Sequence, residues 1–197
     1  MFSKNQSGSS LNRQLFETYM ALDNWHQFRL RLFIEGIFVG IAGGLSISLF
    51  RFLLNESEDL RIYLYHACLI PALRRDDLLP LLSYTLLLLA IGGALCAMCR
   101  YAPMAGGSGI PQVKGVILGL MKMKWLRILW VKILAGAIGI GAGLSLGREG
   151  PSIQIGAVAG QGLSRTLGRT RMEERYLITS GASAGLAAAF NAPLAGM

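Results

Sequence analysis

Residues 143–156, "GLSLGREGPSIQIG", set an arginine and a glutamate side by side between glycines, in surroundings that are almost entirely apolar. Whether Arg148 and Glu149 form an exposed turn or a site inside a membrane depends on the flanking sequence. That sequence is oily: 53% of the 197 residues are hydrophobic and 15% are charged, against about 25% charged in an average soluble domain. Mean hydropathy is +0.48. Residues 80–98, "PLLSYTLLLLAIGGALCAM", carry no charge and match the ~20 residues that cross a bilayer. "LFIEGIFVGIAGGLSISLF" (32–50) has one acid and "ILAGAIGIGAGLSLG" (133–147) has no charge. The chain therefore reads as an all-α integral membrane protein, with a segment at 1–28 ahead of a membrane domain at 29–197.

A net charge of +8 raises the question of nucleic acid, but the cations gather at the ends of apolar segments and form no single stripe, so no nucleic-acid partner is expected. They fall at Lys4, Arg13, Arg29 and Arg31, at Lys122, Lys124, Arg127 and Lys132, and at Arg165, Arg169, Arg171 and Arg175, while 55–79 is acidic on balance. The positive-inside rule then puts the amino terminus and both basic loops in the cytoplasm and 55–79 outside. Residues 11–28 suit an amphipathic helix on the cytoplasmic surface. Spans are expected at 30–54 and 80–99, a short piece at 108–120, and helices at 126–146, 151–166 and 175–190. Glycines four apart (36, 40, 44; 139, 143, 147; 156, 160; 181, 185) predict close helix packing, since small residues let backbones approach in lipid. "CAMC" (96–99) reads as two packing residues, and no metal site is expected. Glu35 reads as structural, with Arg31 one turn before it.

Two glycine-bracketed turns each open onto a helix, "GGSGIPQV" (106–113) and "GREGPSIQIG" (147–156). In each, proline is expected at the first or second helical position, where its missing N–H costs nothing. A helix start carries about half a positive charge and unpaired N–H donors, which make an anion site. Desolvating a small anion costs tens of kcal/mol in the dry limit. One half charge about 4 Å away returns only about 2 kcal/mol at an effective dielectric near 20. Several helix starts must therefore converge on one anion.

"GSGIP" (107–111), "GREGP" (147–151) and "GASAGLAAAFNAPLAG" (181–196), in that order and spacing, resemble the CLC family of chloride channels and proton-coupled chloride antiporters. The resemblance covers about 18–197. It implies the first inverted-repeat half of a CLC-type fold, with broken, partly re-entrant helices, and a homodimer with one pore per subunit. Ser108 would offer its hydroxyl to chloride, with the backbone at Gly109 and Ile110 starting the helix aimed at it. Arg148, Glu149 and Gly150 would supply N–H groups at an outer site. Glu149 would be the gate, its carboxylate competing with chloride and moving aside when protonated. Serine at 108 looks like the chloride form, since nitrate-preferring relatives tend to have proline there. The implied function is chloride transport across a cell membrane, the bacterial inner membrane in the first instance, by a non-enzymatic protein with no cofactor. Channel and proton antiporter stay open.

"FNAPLAGM" (190–197) stops where another apolar segment would begin, so the expectation is a truncated chain, with a proton-handling acid soon after Met197. Two other readings compete with this one. A nucleotide-binding enzyme would use the glycine-rich "AIGIGAGLSLG" (137–147), but no GxGxxG fits it, no GK[ST] follows and no strand pattern precedes it. A non-transporting membrane scaffold, or inactive fragment, is the other.

Overall fold

The computed structural model describes residues 25–71 and 78–192. Most of the amphipathic helix expected at 11–28 lies outside the described residues; its last four, 25–28, open the first long helix. Among the described residues six α-helices follow in order: α1 Trp25–Leu64, α2 Leu78–Tyr101, α3 Ile110–Ile117, α4 Trp125–Gly141, α5 Glu149–Thr166 and α6 Arg171–Phe190. A π-helical turn, Tyr65–Leu69, extends α1, and a 3-10 turn, Pro103–Ala105, follows α2. No strand occurs among the described residues.

Among the described residues two helical stretches are long and apolar enough to cross a bilayer by themselves, Leu30–Ala67 and Leu78–Tyr101. α1 has 40 residues, about 60 Å at 1.5 Å per residue, roughly twice the hydrocarbon thickness. It was expected to end near 54, before the charged run "NESEDLR" (55–61). It continues because that run has partners: Ser57 packs on Gly141 at the end of α4, and Glu58 accepts from the Arg148 guanidinium at 2.8 Å. α2 buries none of its residues. Its leucines from Leu78 to Leu89 are exposed, which suits a helix in contact with lipid.

The core forms on one side of α1. Ile47, Phe50 and Leu54 bury against Ile133, Ala137 and Ile140 of α4 and Ile155 of α5. Phe33, Phe38, Ile41, Leu45 and Phe52 on the rest of α1 remain exposed. α5 is the central element. Gln154, Ala157 and Val158 are wholly buried, so an only modestly apolar helix is enclosed on all sides.

α5 and α6 meet backbone to backbone. A Cβ on Gly156 would overlap Gly181, one on Gly160 would overlap Leu177, and one on Gly185 would overlap Ser152. The four-residue glycine spacing therefore packs helices here, as expected. It does not do so at Gly40 and Gly44, where a Cβ meets nothing within 4 Å; the glycine that meets α5 there is Gly43, against Gly156. Gly143 and Gly168 serve turns instead, with φ of 96° and 63°. α6 starts on a capping box in which Thr170 and Glu173 satisfy each other's backbone N–H. It ends at Asn191, φ 53°, whose side chain accepts from Arg51 of α1 at 2.7 Å.

The basic loops come together at one end of the bundle. Glu35, near the start of α1, accepts from Arg31 at 3.3 Å and also pairs with Arg169 in the α5–α6 turn. This agrees with the structural role expected for Glu35 and adds a second partner. Lys132 departs from the expectation that grouped it with the basic loop at 122–132. It lies in the middle of α4 and is 5% exposed.

Candidate functional site

α3 and α5 begin at the same place. Gly109 has φ 91°, a left-handed conformation that favours glycine, and Pro111 follows at the second helical position. α5 begins at Glu149, so Pro151 is its third residue, one position later than expected; the first-turn N–H is unpaired there as well. Neither start carries a side-chain cap, in contrast to the capping box on α6 at the other end of the hairpin. A Cβ on Gly150 would overlap the Ser108 carbonyl. A Cβ on Gly109 would overlap the Gln154 side chain. Both glycines are required by this close approach.

Beside the junction is a cavity of about 570 Å³, with Ser108, Ile110, Lys132, Glu149 and Gly150 in its wall. Of the residues singled out in the sequence, Ser108, Ile110, Glu149 and Gly150 thus come together. Gly109 is buried beneath them, and the Arg148 side chain is turned to Glu58. The rest of the wall is mainly apolar, with Leu95, Ile140 and Leu146 among its members. Cys99, from the CAMC stretch, also lines it and is a free thiol.

The turn that presents Ser108 is held by side chains that sequence reading did not assign to it. Gln154 donates to the Met104 carbonyl at 2.7 Å. Lys132 donates to Ala105 at 2.9 Å and to Gly107 at 2.7 Å. Gln112 donates to Gly106 at 3.0 Å. Four successive carbonyls, 104 to 107, are therefore each occupied by a donor. Free carbonyl oxygens would repel an anion; engaged in this way, with one of the donors an ammonium, they do so far less. The signals were present in the sequence. Lys132 interrupts the apolar run 128–147, and an ionisable residue within a span is a functional candidate by default. Gln154 is a polar residue in a helix that is otherwise small and apolar at that level.

The family model described as "Voltage gated chloride channel" matches residues 87–197. The H(+)/Cl(-) exchange transporter ClcA of Cronobacter sakazakii is 50% identical over 99 residues, covering 50% of this chain and 21% of that protein. The protein of the same name from Salmonella arizonae is 48% identical over 99 residues, with the same coverage. Among solved structures, a slow cyanobacterial Cl-/H+ antiporter matches with a TM-score of 0.67 and 36% identity, over 84% of this chain and 38% of that one. The chain belongs to the voltage gated chloride channel family. It is an all-α membrane protein whose helices match part of the CLC fold, and it spans about a fifth of the length of the curated relatives it matches (21% in each case).

Proposed function

We propose that this chain builds the first half of a chloride pathway, in a multi-pass transporter whose amino terminus and basic loops face the cytoplasm. The observation that carries the reading is the meeting of two uncapped helix starts, α3 and α5, with Ser108 and Glu149 in the wall of one cavity. Two half-charges and their unpaired N–H groups at one spot are what an anion needs when it leaves water. Ser108 offers a hydroxyl. Gly109, Ile110, Arg148 and Gly150 contribute backbone at the two helix starts. Glu149, as a carboxylate, competes with chloride for these donors and withdraws when protonated. Proton-coupled exchange, the activity for which the relatives are named, fits a gate that alternates between proton and chloride. The transporter works as a homodimer in a bacterial inner membrane and takes no cofactor.

A chimera tests this, with residues 87–197 replacing the matching segment of the Cronobacter exchanger in liposomes. Chloride efflux from the chimera depends on pH, and Glu149→Ala makes efflux insensitive to pH while leaving it chloride-selective. Efflux from the variant that keeps the parent's pH dependence refutes the gate. A folded chimera with no chloride flux favours a scaffold over a transporter.

A further inference from the structure

A second cavity, about 250 Å³, lies at the opposite end of α5 from Glu149, where α3 and α5 end and α6 begins. Gln161 and Arg165 from α5, Arg171, Glu174 and Arg175 from α6, and Lys122 from the α3–α4 turn all reach its wall. Sixteen residues of helix separate Glu149 from Arg165, about 24 Å, so this is not the site described above.

Two of the four cations have a structural explanation. Arg165 bonds Glu174 at 3.3 Å in the last turn of α5. Arg175 lies against Gly119, just past the end of α3, where a cation suits the negative end of the helix. Lys122 and Arg171 have no such explanation. Neither pairs with a carboxylate among the described residues. Arg171 is the first residue of α6, at the positive end of the helix, where a cation is disfavoured. An anion entering the cavity would be attracted to both of these cations at once.

Gln161 gives an independent indication of a ligand. It lines the cavity and is 2% exposed; its Nε2 donates to Glu174 at 2.9 Å, and its Oε1 is buried with no partner. A buried acceptor without a donor is costly. The cavity therefore asks for an anion that also carries a hydroxyl. Apolar Val116, Met121 and Ile178 share its wall, and Leu118 and Leu120, in the same turn as Gly119, are exposed, Leu120 by 79%. Apolar side chains around basic ones are what an interfacial lipid site presents.

We propose that this cavity binds a hydroxyl-bearing phosphate ester, with Lys122 and Arg171 on the phosphate and Gln161 accepting from the hydroxyl. A phosphatidylglycerol headgroup and soluble glycerol phosphate share this chemistry, and the apolar rim favours the lipid.

The test uses the 197-residue chain in detergent micelles doped equally with phosphatidylglycerol and phosphatidylcholine, with retained lipid counted by native mass spectrometry. The chain retains phosphatidylglycerol in preference to phosphatidylcholine, and millimolar glycerol phosphate does not displace it. Each cation near an anionic headgroup is worth about fivefold in binding, so Lys122→Gln with Arg171→Gln lowers retention about 25-fold. These two exposed residues leave the Arg165–Glu174 pair and the Arg175–Gly119 contact intact, so the variant folds. The control, Lys124→Gln with Arg127→Gln, removes equal charge from the same end of the molecule outside the cavity, and retention stays within about twofold.

Displacement by glycerol phosphate, with no preference between the lipids, overturns the lipid source and assigns the cavity to the soluble ester. A control that loses as much as the test variant reveals only diffuse attraction and overturns the site. So does the absence of both lipid preference and glycerol phosphate binding.

Discussion

Replacing Lys132 by methionine tests the idea that a buried ammonium holds the anion-facing turn. Methionine keeps the length and the apolar stem of the side chain and removes both hydrogen bonds, to Ala105 at 2.9 Å and Gly107 at 2.7 Å. Ala105 is buried, at 7% exposed, so its carbonyl loses its donor with no water to replace it, a cost of about 1–3 kcal/mol. The Gly107 carbonyl is at an exposed residue; exchanging a charged donor for water there costs about 1 kcal/mol. Global stability changes less than this sum, because the methionine variant no longer has to desolvate a charge. The local effect is the diagnostic one. A loss of about 2 kcal/mol in holding the turn speeds amide exchange about 30-fold. Hydrogen–deuterium exchange in lipid nanodiscs should show this acceleration at residues 105–109, with the interior of α5 at 155–162 unchanged. Equal exchange in both proteins at 105–109 would refute the clamp. Acceleration spread evenly over the chain would mean that Lys132 supports the bundle and not the turn.

Gly150→Ala drives a methyl into the Ser108 carbonyl. Overpacking of this kind costs about 1–3 kcal/mol, and separation of α3 from α5 should be measurable as a lower midpoint of thermal unfolding. Gly156→Ala collides with the Gly181 backbone and should destabilise by at least as much. Gly40→Ala, with open space around it, should stabilise by about 0.5–1 kcal/mol; the two variants measured side by side in one unfolding assay must differ in sign. Glu35→Gln removes the carboxylate that joins Arg31 and Arg169 and leaves Arg169 short of its charge partner. Breaking a buried pair costs about 3–5 kcal/mol; an unfolding midpoint unchanged from the parent would make this pair irrelevant to stability.

The motifs at 107–111 and 147–151 were legible because glycine, proline and a charged pair have few uses together inside apolar sequence. Helix positions were legible from hydropathy, but their ends were not. The charged run at 55–61 looked like a loop and is helix, because Ser57 finds a partner on α4 and Glu58 finds one at Arg148, 90 residues later in the chain. Lys132 looked like part of a basic loop for the same reason: its neighbours in sequence include Arg127 and Lys124, whereas its neighbours in space are two carbonyls of a different turn.

Composition and spacing were enough to determine that this chain dissolves in a bilayer and that its glycine–proline turns at 106–111 and 147–151 open onto helices. These are local properties, written in side-chain polarity and backbone freedom within a few residues. Tertiary structure alone decided which broken ends meet. Only packing could bring Ser108 onto Gly150 and give the carbonyls of 104–107 their donors from α3, α4 and α5. Only packing, too, could separate the glycines that seat a neighbouring helix from those, such as Gly40, that face open space, because the same spacing serves both.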